Sequence, residues 1–133
     1  MTRRTRWLAG VRAGGVFGRA LARFYQGKYA EAAHLFEKAD ELEPDSERIY
    51  FSHALRGRCH LELGQYKEAL ECLSRAYAPY WKQRASLSSS YAKREFVKFL
   101  SAFSDVLLKT GQVDRAEEVA QEAREYRKSA GVD

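Results

Sequence analysis

The chain is poor in the residues that interrupt helices or cross-link small folds. Its 133 residues include two prolines, Pro44 and Pro79, and two cysteines, Cys59 and Cys72. So few prolines leave long helices unbroken. Two cysteines exclude a disulfide framework, and their spacing matches no metal motif, so buried free thiols in a reducing compartment are expected. No apolar run approaches the roughly 18 residues of a membrane-spanning helix. Thr2-Arg3-Arg4 ahead of Trp7-Leu8 is close to a twin-arginine export signal, but Arg12 and Arg19 interrupt the apolar stretch that such a signal needs. The expected location is the cytoplasm.

Acidic residues are missing from the first 30 positions, which carry Arg3, Arg4, Arg6, Arg12, Arg19, Arg23 and Lys28 before Glu31 appears. Beyond them the chain is near balance, with 16 basic against 18 acidic residues. A basic leading segment either aids solubility or attracts an acidic partner, a nucleic acid or a membrane surface. The motifs of common catalysis are absent as well: no phosphate-binding glycine loop, no His-Glu-x-x-His and no Gly-x-Ser-x-Gly. His53, Cys59 and His60 share one helical segment, yet no carboxylate or third ligand stands at a suitable spacing, so they read as inward-facing structural residues. No catalytic residue, metal or cofactor is expected.

What is present is a soluble, helix-forming composition, 45% hydrophobic and 31% charged, which argues against disorder. Leu, Ala, Glu, Lys, Arg and Gln dominate, favouring helix over strand. The chain writes Gln-Gly-Lys-Tyr-Ala-Glu-Ala at 26–32, Leu-Gly-Gln-Tyr-Lys-Glu-Ala at 63–69 and Thr-Gly-Gln-Val-Asp-Arg-Ala at 110–116. Around each stretch the pattern is helix, glycine turn, helix. Apolar residues recur about every four positions before the turn (Val16, Phe17, Ala20, Leu21, Phe24) and again after it (Tyr29, Ala32, Ala33, Phe36, Ala39). Pro44 ends the first unit and Pro79 the second. Ala32, Ala69 and Ala116 repeat seven residues ahead of Ala39, Ala76 and Ala123, placing small side chains where two antiparallel helices approach closely. A hairpin this small cannot bury its own apolar face, so hairpins stack.

The pattern resembles the tetratricopeptide repeat, a helix–turn–helix unit of roughly 34 residues. The resemblance spans about 13–129. It includes small residues (Ala20, Gly57, Ser104) seven positions before each turn glycine and large ones (Phe36, Leu73) between the paired alanines. It implies an all-α array of three hairpins in a short right-handed superhelix, with units at about 13–44, 46–78 and 91–129. A loose basic segment 1–12 would precede them and a tail 130–133 would follow. The turn glycines are 37 and then 47 residues apart, so an enlarged junction at 79–90 is expected, built from lengthened helices. Arg19 and Arg56 occupy places that are usually apolar, as do Arg23 and His60, implying first helices rotated or shifted by about a residue. Helix is expected to become firm between 10 and 16, because Gly10, Gly14, Gly15 and Gly18 together cost about 4 kcal/mol against alanine.

The resemblance also implies a concave groove lined by the first helices. Its residues here would be Tyr25 from unit one, with Phe17, Leu21 and Phe24; Phe51, Leu55, Arg58 and Glu62 from unit two; and Lys98, Ser101, Asp105 and Lys109 from unit three. Of the cationic cluster that grips acidic chaperone tails only Lys98 is present, so an apolar or amphipathic partner segment is the expected occupant. A second candidate is the acid-free stretch between Glu71 and Glu95, where Tyr80, Trp81, Lys82, Arg84, Lys93 and Arg94 interleave aromatics with cations. That pattern suits single-stranded nucleic acid or an acidic peptide, although Trp81 is expected to pack the junction. Ser86-Leu87-Ser88-Ser89-Ser90 reads as a turn or helix start, or as a phosphorylation target. The expected function is a non-enzymatic protein-interaction module (adaptor, chaperone or neutralising protein), with nucleic-acid binding as the alternative and self-association through the glycine-faced N-terminus as a third reading.

Overall fold

The structure, a computed structural model, describes residues 2–133. Six α-helices follow one another: α1 (Arg3–Tyr25), α2 (Tyr29–Leu42), α3 (Ile49–Glu62), α4 (Tyr66–Gln83), α5 (Ser90–Lys109) and α6 (Val113–Ala130). A single 3-10 turn, Arg84–Ser86, lies between α4 and α5. No strand occurs among the described residues. The helices pair as α1/α2, α3/α4 and α5/α6, and the three hairpins stack in sequence.

Each hairpin turns on the same device. Gly27, Gly64 and Gly111 hold φ of 76°, 74° and 86°, in the left-handed region that side chains disfavour. In each case the residue after the glycine donates its N–H back to a carbonyl five positions earlier: Lys28 to Arg23 at 2.9 Å, Gln65 to His60 and Gln112 to Leu107 at 2.8 Å. This closing motif satisfies carbonyls that a helix end leaves open. After each turn the small-residue seam forms as expected, with Ala32, Ala39, Ala69, Ala76, Ala116 and Ala123 all buried. Opposite it, a Cβ built on Gly57 would lie 2.6 Å from Leu73, so α3 and α4 approach too closely there for any side chain. In the third hairpin Ser104 fits the same place by donating its hydroxyl to the Ala116 carbonyl at 2.7 Å.

Three expectations need correction. Helix does not wait for residues 10–16. Thr2 caps α1 by accepting the Thr5 N–H at 3.2 Å, and the buried Ala13, Val16, Ala20 and Phe24 anchor a helix that propagates back to Arg3. Pro79 does not close the second unit but lies inside α4. It sits on the exposed side with Arg75, so the Arg75 carbonyl that loses its donor is open to solvent. The first helices are not rotated either: Ala20 and Gly57 are both buried seven residues before their turns. Arg19 points to solvent, whereas Arg56 stays half-buried by pairing with Asp40 at 3.8 Å and donating to Cys72 Sγ at 3.2 Å.

The junction is enlarged as expected, and lengthened helices build it. From α1 to α3, side chains meet about 34 residues apart, as in Phe17 with Phe51 and Phe24 with Arg58. From α3 to α5, Arg58 meets Glu95, only about 37 residues on, although the turn glycines there are 47 apart. The third hairpin is therefore displaced along its axis by about ten residues, or ~15 Å at 1.5 Å per residue. The lengthened α4 and the early start of α5, where Ser89 accepts the Ala92 N–H at 3.0 Å, absorb the extra chain. Aromatic rings fill the resulting seam: Tyr80 lies 4.9 Å from both Phe96 and Phe99, and Tyr77 lies 5.4 Å from Phe103.

Candidate functional site

The displaced α5 changes what the concave side offers. Its first turns lean over α3 and reach α1, where the hydroxyls of Tyr25 and Tyr91 meet. Next to them Arg58 donates to Glu95 Oε2 at 2.6 Å and lies over the Phe24 ring at 4.8 Å. Glu95 is 2% exposed, and Lys98 stands 3.6 Å from its second oxygen. One end of the expected groove is thus closed by the chain itself.

The other end is open. A cleft of about 360 Å³ lies between α3 and α5, lined by Arg58, Leu61 and Glu62 on one side and by Val97, Lys98, Ser101, Ala102 and Asp105 on the other. Arg127 and Asp133 approach it from the end of α6. Five of the twelve expected groove residues therefore come together: Arg58, Glu62, Lys98, Ser101 and Asp105. The other seven do not join them, with Phe17, Leu21 and Phe24 packed in the core cluster around Phe36. Leu55 is only 1% exposed, packed with Phe36 and Cys59. Phe51 is half-buried between Phe17 and Tyr80, at 6.2 and 6.1 Å. Tyr25 is taken by Tyr91, and Lys109 by Asp105 at 3.3 Å and by the Tyr66 ring at 5.5 Å. Phe24 and Leu55 are core, and the open cleft carries charges of both signs.

Residues 23–79, from the end of α1 to Pro79 in α4, match the tetratricopeptide repeat family. The chain is a tetratricopeptide-repeat protein. The match takes in the first turn, α2, α3 and α4 as far as Pro79, and the third hairpin repeats their architecture outside the matched span. No match was found among curated proteins. Tetratricopeptide repeats mediate protein–protein interactions, and the family is typically a non-enzymatic scaffold.

The second sequence candidate is dispersed in this tetratricopeptide array. Tyr80 is core, 2% exposed, and offers no face to a base. Trp81 is half-buried as expected, beside Tyr77 at 5.9 Å, and Arg84 covers its ring at 4.1 Å while donating to the Trp81 carbonyl at 2.7 Å. Lys82 shares a shallow hollow with Pro79, Trp81 and Arg84, whereas Lys93 and Arg94 stand on α5 outside it. Among the described residues no helix is long and apolar enough to cross a membrane.

Two residues that line the cleft, Val97 and Arg127, carry no local signal in the sequence. Glu95 does, as the acid that ends a 23-residue stretch without one. Cys59 and Cys72 are free and buried, and burial pushes the Cys59 thiol up to about 12. His60 is paired with Gln65 Oε1 at 2.6 Å.

His53 is half-buried on α3, its Nδ1 3.5 Å from Asp40 Oδ2. Burial first, and then the positive charges of Arg56 and Arg75, lower its pKa to about 4. The folded state thus favours the neutral ring, and the unfolded chain binds the extra proton between about pH 6.5 and 4. This stabilisation is complete above pH 6.5 and is lost as pH falls towards 4, amounting to about 3 kcal/mol at the acid limit. Asp40, raised by burial, acts in the opposite sense at lower pH and softens the fall. Thermal melts followed by circular dichroism are expected to show a drop in Tm from pH 6.5 to 4.5 that His53→Gln largely removes. An equal drop in the variant would show that other groups carry it.

Proposed function

We propose that this tetratricopeptide-repeat protein is an adaptor in the cytoplasm that holds a peptide segment of a partner protein in the cleft between α3 and α5. The observation that carries the reading is the open cleft itself, with Lys98, Ser101, Glu62 and Asp105 around a floor of Leu61, Val97 and Ala102. Small side chains at Ser101 and Ala102 leave room for a backbone. Charges of both signs suit a segment of mixed charge, with an acid against Lys98 and a base against Glu62 or Asp105. The acid-free first 30 residues would speed the approach of an acidic partner without contacting the bound segment.

Affinity capture followed by mass spectrometry, with Ser101→Trp and Lys98→Glu as controls, tests this. Both positions are exposed, so both variants should keep the wild-type helical spectrum. Recovery of the specific partner is expected to fall at least tenfold with Ser101→Trp and several-fold with Lys98→Glu. Undiminished recovery with both would remove the cleft from the binding surface. The nucleic-acid alternative loses its stacking platform, since Tyr80 is core and Arg84 covers Trp81.

A further inference from the structure

At the opposite end of α3 from the cleft lies a second cavity, of about 350 Å³, between α1, the end of α2 and the start of α3. We propose that it is a binding site for a neutral phenolic ring. The glycines of α1 create it: Gly10 and Gly14 present backbone alone to the space, and a Cβ built on Gly14 would meet nothing within 4 Å. Its walls are apolar, with Ala13 and Phe17 from α1 and Ile49 and Phe51 from α3.

Its polar atoms are short of partners. Ser52 is 3% exposed and its hydroxyl makes no hydrogen bond, while Asp40 Oδ2 makes none either and has only the longer ion-pair contacts of His53 at 3.5 Å and Arg56 at 3.8 Å; both residues line the cavity. The Ser52 hydroxyl is near enough to Asp40 to offset part of the desolvation of that carboxyl, yet no bond of normal geometry joins them. Buried oxygens without partners are uncommon in folded proteins, because the unfolded chain satisfies them with water. Two of them at one cavity mark a place where a ligand gains bonds that the protein alone does not make.

Charge narrows the ligand further. Asp40 and Glu43 repel an anion, while Arg48 at the cavity and Arg56, 3.8 Å from Asp40, oppose a cation. A neutral group that both donates and accepts is left. The hydroxyl of a phenol donates to the Asp40 carboxylate and accepts from Ser52, and its ring packs on Phe17 and Phe51. Such a ring comes either as a free small molecule or as a tyrosine side chain of a bound protein.

The test is a titration of the ¹⁵N-labelled chain with p-cresol, toluene, benzylamine and N-acetyl-tyrosinamide, read from amide shifts. p-Cresol is expected to shift the amides of Gly10, Gly14, Phe51 and Ser52 saturably. Toluene should bind at least about tenfold more weakly for want of both hydrogen bonds, and benzylamine more weakly than p-cresol. Ser52→Ala should bring p-cresol down towards toluene. Gly14→Leu should abolish both, while holding or raising Tm, since leucine is the better helix former and enters open space. N-acetyl-tyrosinamide binding as well as p-cresol identifies a protein-borne tyrosine; its exclusion identifies a free phenol. Equal affinities for p-cresol and toluene, no shifts at these amides at millimolar p-cresol, or unchanged shifts in Gly14→Leu would overturn the assignment.

Discussion

Arg58→Met is expected to lower folding stability by about 3–5 kcal/mol, the usual cost of removing one partner from a buried ion pair. For a domain of this size that is a fall in Tm of roughly 10–20 °C. The effect arises at Glu95, which is 2% exposed and bonded to Arg58 at 2.6 Å. Lys98 is a poor substitute, since its side chain is 57% exposed and 3.6 Å away. Without Arg58 the carboxylate must take up a proton or draw water between α3 and α5. Methionine keeps much of the aliphatic stem but not the guanidinium that lies over Phe24 at 4.8 Å, so the loss combines the ion pair with that cation–π contact. The second substitution Glu95→Leu, made on top of Arg58→Met, should restore most of the stability, because an apolar pair of similar volume does as well as a buried salt bridge. Urea denaturation of the wild type, both single variants and the double variant closes the cycle. A single-variant loss under about 1 kcal/mol would mean that Glu95 reaches solvent and that the first turns of α5 do not rest on α3 as described.

Tyr80→Ala should cost as much, about 3–5 kcal/mol, as for other large aromatic side chains removed from a core. Its ring touches Tyr50 at 5.2 Å on α3 as well as Phe96 and Phe99 on α5, so truncation opens a cavity at the meeting point of two hairpins. Tyr80→Phe should change stability by less than about 1 kcal/mol, because the Tyr80 hydroxyl is not engaged in a hydrogen bond that the ring depends on. Lys82→Ala, two residues away and exposed, should change it by no more than about 0.5 kcal/mol. This ordering separates a structural tyrosine from a base-stacking one. A Tyr80→Ala chain that kept its stability would place the ring on the surface and bring back the nucleic-acid reading.

The contrast between these residues shows how far the sequence could be read. Gly27, Ala32 and Ala39 act within one hairpin, where a glycine at positive φ and a small residue on the facing side are local requirements that leave a periodic trace. Three copies of that trace carried the fold class, the hairpin pairing and the buried alanines. The groove depended instead on how hairpins sit on one another. Leu55 was placed in it by its family position, but it packs on Phe36 of the first hairpin, and Tyr25 is covered by Tyr91 of the displaced α5. Arg58 and Glu95 belong to different hairpins, and nothing in either local sequence couples them. Pro79 misled for a related reason: proline stops an isolated helix, but the buried Tyr80 and Ala76 on either side of it hold α4 together through the gap in its hydrogen bonding.

The aromatic seam also gives the molecule an internal optical label. Its two tryptophans have opposite surroundings: Trp7 is 66% exposed on the overhanging start of α1, whereas Trp81 lies against Tyr77 and Phe96 where the third hairpin meets the second. In a chain carrying Trp7→Phe, the remaining emission follows the docking of one hairpin on its neighbour rather than the presence of helix. Near-ultraviolet dichroism from the rings of Tyr77, Tyr80, Phe96 and Phe99 follows the same event. Loss of these signals ahead of the far-ultraviolet helical signal would reveal a state with hairpins formed but unstacked.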